Sequence, residues 1–176
     1  MKREPCVLNA EEIAGLIRSR RLIRSCIHLK TQLTPNGFDL TAAEVYRFAS
    51  RGELDFSNKE RVVSGETRLK PRKKSSKDKF GWWHLKKGAY KIKTNETVNI
   101  PANLIAVAAP RSSLLRCGAF TQTAVWDAGF KGRSEFILVV ENRLGLRLKQ
   151  NARVVQLLFL RMNGTAKTYR GIFQGL

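Results

Sequence analysis

Apolar residues recur along this chain with two different periods. Near the start they fall at Ile13, Leu16 and Ile17, the three-to-four spacing of one helical face. Asn9 followed by Glu12 has the spacing of a capping box, and Arg18, Arg20 and Arg21 suit the negative pole of a helix dipole. These features predict a short N-terminal helix. After Pro35-Asn36-Gly37 the helical period vanishes. Short apolar runs then predict strands over 38–40, 90–93, 98–100, 104–108, 136–140, 144–148 and 154–160. Turn signals at Lys87-Gly88, Asn103, Gly129 and Asn163-Gly164 separate several of them. One leading helix and a series of short strands predict a mainly β, mostly antiparallel sandwich or barrel. Strand–helix alternation is absent, and neither GxGxxG nor GxxxxGK[ST] occurs, which argues against a Rossmann or P-loop architecture.

The length of 176 residues, 43% of them hydrophobic, fits one domain over 1–176 with a substantial core. No run approaches the roughly eighteen apolar residues of a membrane helix, and MKREPCVLNAEE lacks the apolar centre of a secretory signal. The expected compartment is the cytoplasm, with no membrane partner. Cys6, Cys26 and Cys117 are odd in number and form no CxxC pair, so they read as reduced, partly buried thiols. With His28 and His84 as the only imidazoles, a zinc site is not expected, and the H-x-E…P-C-x-x-C pattern of zinc deaminases is missing.

A net charge of +19 points to a polyanionic partner, either nucleic acid or a nucleoside triphosphate. The positive charge is concentrated over 67–79, where Asp78 alone opposes a run of lysines and arginines. This segment reads as a mobile inserted loop. It holds no aromatic before Phe80, Trp82 and Trp83, so a solvated loop is expected rather than a nucleic-acid site.

The richest chemistry lies over 109–132. Arg111, Ser112 and Ser113 follow an apolar strand and offer a guanidinium and two hydroxyls, groups suited to phosphate. The same residues could open a short helix, a reading compatible with phosphate binding. Asp127 lies at a strand-to-turn corner before Ala128-Gly129. Asp before a glycine-containing turn is most often a turn former, but a carboxylate beside a phosphate site can also activate water. Phe130 would be core in most folds. Gln156, inside the apolar run RVVQLLFL, needs partners if buried and otherwise faces a ligand at a subunit boundary. The tail from Tyr169 onward, with Phe173 and Gln174, would fray if isolated.

PNGFDL (35–40), PRSSLLRCG (110–118), TAVWDAGFKGR (123–133), GLRLKQNARVVQLLF (145–159) and YRGIFQG (169–175) stand in an order that resembles the dUTPase/dCTP deaminase superfamily. The resemblance runs from Asn9 nearly to the end and is closest to archaeal-type dUTPases. It implies a distorted jelly-roll (β-clip), a homotrimer with sites between subunits, and dUTP as substrate. By the same resemblance, Asp127 would activate water for attack on the α-phosphorus, yielding dUMP and pyrophosphate. Mg2+ would ride on the triphosphate, with Asp39 contacting it through water. Arg111, Ser112, Ser113 and Gln156 would grip phosphates, and Phe130 would pack under the deoxyribose. A hairpin over 121–125, including Thr123, would read the uracil edge. Tyr169, Phe173 and Gln174 would belong to a closing tail.

The resemblance carries a rival, dCTP deamination alone or beside hydrolysis. The superfamily's deaminases use a glutamate ten residues beyond the turn aspartate, and in this chain that position is Ile137. Glu135 lies two residues earlier and would share its face in an unbroken strand, as would Glu141 nearer the strand end. Glu135 is the candidate deaminase acid/base. Arg116 matches an arginine of the deaminases as well and does not discriminate. A third reading is a basic nucleic-acid-binding module built on the 67–79 segment.

Overall fold

The structure is a computed structural model that describes residues 6–165 and 167–175. Residues 1–5, read above for a signal, and Leu176 at the end of the tail lie outside the described residues. Helix α1 (Ala10–Arg20) forms as its pattern predicts. The Asn9 side chain accepts from the Glu12 N–H at 3.0 Å while Glu12 accepts from the Asn9 N–H at 2.9 Å, closing the capping box. Arg21, at φ 55, ends the helix in the left-handed region. Glu12 also pairs with Arg161 at 2.6 Å, which ties the helix to the far end of the chain.

Beyond α1 come β1 (Ile23–Arg24), α2 (Leu29–Gln32), β2 (Leu33–Thr34), β3 (Gly37–Phe48) and β4 (Glu66–Arg68). They are followed by β5 (Trp82–Leu85), β6 (Gly88–Asn99), β7 (Leu104–Pro110) and the short helix α3 (Ser112–Arg116). The chain finishes with β8 (Ala119–Gln122), β9 (Lys131–Val140), β10 (Leu146–Lys149) and β11 (Arg153–Arg161). The main sheet runs β7-β11-β3-β6-β9-β8, with β1, β2 and β4 paired at its sides, while β5 and β10 form a separate ribbon. Every pairing is antiparallel. The sheet curls until its edges meet: Trp126, just past β8, exchanges both backbone hydrogen bonds with Ala106 of β7. Inside the curl Phe38, Leu40, Ile92, Leu138, Leu157 and Phe159 are fully buried. This is the mainly β, jelly-roll-like architecture that the sequence predicts.

The strands are longer than their apolar runs. The predicted runs 90–93 and 98–100 are one strand, β6, and 38–40 is only the start of β3. The inward polar residues between the runs find partners inside the sheet. Thr94 Oγ1 accepts from the Ser134 N–H, and the buried Glu96 accepts from Gln32 and Thr41. Buried polar groups with complete hydrogen bonding do not break a strand.

The segment 67–79 also differs from the expected loop, since its first residues belong to β4 and Arg72 bridges back to Trp82. Cys6 and Cys117 are exposed rather than partly buried, and only Cys26 is half-buried. Among the described residues no helix is long and apolar enough to cross a membrane. Replacing Asn9 by Ala removes the cap and should cost about 1 kcal/mol. Urea unfolding should show this as a lower midpoint with an unchanged slope.

Candidate active site

Two groups of candidate residues assemble, each built by a different part of the fold. The first gathers where β3, β11 and the end of β7 lie side by side. Gln156 of β11 stands opposite Asp39 on one flank and Ala109 on the other. Asp39 points from β3 into a nearly closed space, its side chain only 2% exposed. Its Oδ2 receives Arg111 Nε and Arg153 Nη1, each at 3.1 Å. Burial pushes the Asp39 carboxyl above its ordinary value, against the pull of both guanidiniums. One carboxylate against two guanidiniums leaves a local excess of positive charge, as an anion site requires.

Ser112 and Ser113 open α3 beside Arg111, and both are exposed. Arg111 is the N-cap and provides no side-chain cap. The Gln156 Nε2 donates to Thr34 Oγ1 at 2.5 Å, so its amide is held in place at half-burial. The structure thus brings Asp39, Arg111, Ser112, Ser113 and Gln156 into one neighbourhood.

A buried support lies beneath this group. Gln32 Nε2 donates to the Asp39 carbonyl and to Glu96 Oε1, while Glu96 also receives the N–H and hydroxyl of Thr41. Burial raises the Glu96 carboxyl above its ordinary range, despite these donors. Arg153, Gln32 and Glu96 escaped the sequence reading. Arg153 sits three positions before Gln156 in an apolar strand, and that proximity was the one available signal. Glu96 had none, because its partners lie far away in sequence.

The second group surrounds Asp127. Trp126 anchors it: the indole is buried and its Nε1 donates to Ser134 Oγ at 2.8 Å. The following turn is tied to the end of β6 through Gly129 N–H to the Ile100 carbonyl and Ile100 N–H to the Phe130 carbonyl. Gly129 has φ +81, and a Cβ there would meet Thr168. Asp127 is therefore exposed on a fixed support. Phe130 is half-buried and meets Tyr169 edge-on, ring centroids 5.8 Å apart. The Gln174 side chain donates to the Gly129 carbonyl and accepts from the Lys131 N–H, each at 3.0 Å. Phe173 remains exposed. The tail is thus docked on the turn of its own chain rather than frayed. The expected hairpin over 121–125 does not form: β8 ends at Gln122, and Thr123 lies in the extended connection to Trp126.

The two groups lie towards opposite ends of β7. Trp126 pairs with Ala106 in antiparallel sense, so the chain entering Asp127 moves away from Arg111. The stretch from Ala106 to Arg111 spans on the order of 16 Å at about 3.3 Å per residue.

Glu135 occupies a third setting. On the outer face of β9 its carboxylate pairs with Lys91 at 2.7 Å and Lys93 at 3.1 Å. Burial raises its pKa, but hydrogen bonds and charge from the two lysines outweigh it and hold the carboxyl below its ordinary value. Ile137, at the position of a deaminase glutamate, is exposed. Glu141 lies beyond the strand and pairs with Lys87. Among the described residues no three His, Cys, Asp or Glu side chains gather to hold a metal.

Comparison with known proteins supplies the family and the fold relatives. A family model described as dCTP deaminase-like matches residues 7–162. A probable deoxyuridine 5'-triphosphate nucleotidohydrolase of Archaeoglobus fulgidus is 43% identical, with 96% of each chain covered. One of the same name from Methanosarcina acetivorans is 46% identical, also over 96% of both. The deoxyuridine 5'-triphosphate nucleotidohydrolase of Methanocaldococcus jannaschii is 33% identical over 82% of this chain and 88% of its own. The crystal structure of 2'-deoxycytidine 5'-triphosphate deaminase from Agrobacterium tumefaciens superposes with a TM-score of 0.66 at 19% identity and shares the fold. The match covers 91% of this chain and about half, 49%, of that one. The chain belongs to the dUTPase/dCTP deaminase superfamily, on the side of its archaeal dUTPases.

Proposed function

We propose that the chain hydrolyses dUTP to dUMP and pyrophosphate at a site shared between copies of the chain, most simply a homotrimer. The relatives named for this activity supply the substrate. The observation that carries the site is the separation of an exposed, anchored Asp127 from the phosphate-binding set around Arg111. A second copy would bring its Arg111 group to the first copy's Asp127. Exposed Phe120, Val125 and Ile137, on or beside β8 and β9, offer apolar surface that such a copy would cover.

In this reading the Asp127 carboxylate accepts a proton from a water, and that water's oxygen bonds to the α-phosphorus. The bond from the α-phosphorus to its bridging oxygen breaks, and pyrophosphate leaves. Arg111, Ser112, Ser113 and Gln156 take up the charge that develops on the phosphate oxygens. Asp39 and Arg153 hold Arg111 in position. Phe130 packs beneath the deoxyribose, and backbone groups over 121–125, with Thr123, meet the uracil edge. Tyr169, Phe173 and Gln174 form a lid over the turn on which Tyr169 and Gln174 already rest.

The donor set fits magnesium that arrives on the triphosphate, since no protein cage is available for it among the described residues. Bound there, the ion would neutralise phosphate charge, and Asp39 would meet it only through a water, its own charge being shared by two guanidiniums. The deaminase reading is disfavoured because Glu135, clasped by Lys91 and Lys93, is held as a carboxylate and is ill suited to donate a proton.

Two outcomes follow. Incubated with magnesium and dUTP in heavy-oxygen water, the protein should place the label in dUMP, and with dCTP it should form neither dUTP nor dUMP. Asp127→Asn should lower kcat for dUTP by at least about a hundredfold. Full activity in that variant, or dUTP or dUMP formed from dCTP, would refute the assignment.

Glu135→Gln should leave dUTP hydrolysis within a few-fold of the parent chain and reduce stability by about 1 kcal/mol at neutral pH. Because the folded carboxyl titrates below its ordinary value of 4.5, the stabilisation is full above that pH. The difference between the two proteins should shrink below that pH and vanish only as pH falls through the lower folded value, as read from urea midpoints.

A further inference from the structure

We propose that the groove between β5 and the basic segment before it binds single-stranded nucleic acid, a role independent of nucleotide hydrolysis. The segment does not drift in solvent. Arg72 and Trp82 exchange backbone hydrogen bonds at 2.8 Å in both directions, folding the basic run against β5. Asp78, the run's only acid, spends its carboxylate on the Lys74 and Ser75 N–H groups. Between the segment and the strand lies a groove of about 530 Å³, within the range of pockets that enclose small organic ligands.

Every charged side chain lining the groove is cationic: Arg47, Lys70, Arg72 and Lys86. All four are exposed, and among the described residues none of them forms an ion pair. Like charges gathered without a counter-charge repel one another, and a phosphate chain would relieve that repulsion. Both tryptophans of β5 line it, but Trp83 turns into the core and only Trp82 leaves ring surface exposed. Trp82 is half-exposed, and Lys74, Arg147 and Lys149 stand 5.7, 5.1 and 5.4 Å from its ring centroid.

These cations stand over the ring, and a base that stacks there takes their place on its face while they turn to its phosphates. A duplex keeps its bases stacked on one another and offers no free face to Trp82, so the single strand is the favoured occupant. Sequence alone separated the charges from the aromatics, and the Arg72–Trp82 bridge reunites them. None of these residues belongs to the phosphate-binding group or to the Asp127 turn.

Fluorescence anisotropy of a labelled oligothymidylate with the full chain tests the proposal. If about five cations engage phosphates, affinity should fall about a hundredfold between 50 and 200 mM salt. Trp82→Ala should weaken binding about tenfold, and the exposed double change Lys70→Glu with Arg72→Glu should weaken it further. In both variants dUTP hydrolysis should persist, which establishes that they fold. Duplex DNA and an oligoglutamate of equal charge should bind more weakly than the single strand. Binding indifferent to both variants, or equal binding of duplex or oligoglutamate, would overturn the proposal.

Discussion

The buried carboxylate of Asp39 is the constraint on which the proposed phosphate-binding half of the site depends. One oxygen receives two guanidiniums from different parts of the chain, Arg111 after β7 and Arg153 on β11. A carboxylate this deeply enclosed is unfavourable when charged unless such partners surround it. The requirement is reciprocal, because the pair fixes where Arg111 points. The support extends inward through Gln32 to Glu96, a second buried acid held by Thr41. The proposed anion site therefore rests on a polar network beneath the sheet surface, and a rigid network of this kind would preorganise charge before a ligand arrives.

The half proposed to activate water is built on different principles. Trp126 closes the curled sheet against β7, and the glycine turn after it presents Asp127 to solvent. An apolar anchor and backbone hydrogen bonds hold this half, and the docked tail completes it. The sheet edge that joins the halves also keeps them apart. The proposed reaction at one nucleotide would call for two copies of the chain, and the exposed apolar face of β8 and β9 is the surface they would share.

Legibility in the sequence followed the range of each interaction. Helix α1 could be read because its cap and its apolar face lie within a few residues. The full lengths of β3 and β6 could not, since Thr94 and Glu96 look like strand breakers until distant partners satisfy them. The motif residues Arg111, Ser112, Ser113, Gln156 and Asp127 were visible one at a time. Their division into two groups was not, because it depends on the antiparallel pairing of Ala106 with Trp126. Glu135 illustrates the same limit. Spacing alone left it a candidate catalyst, and only the register that sets Lys93 opposite it, with Lys91 in reach, reveals an ion-paired side chain.

The division of the site between copies is the central claim, and complementation measures it most directly. Asp127→Asn and Arg111→Ala chains should each be inactive alone. Co-expressed and purified together, they should recover about a quarter of the activity of the parent protein, because random assembly leaves that share of sites with both residues intact. No recovery in a mixed assembly would mean that a single chain supplies both residues to one site, contradicting this account.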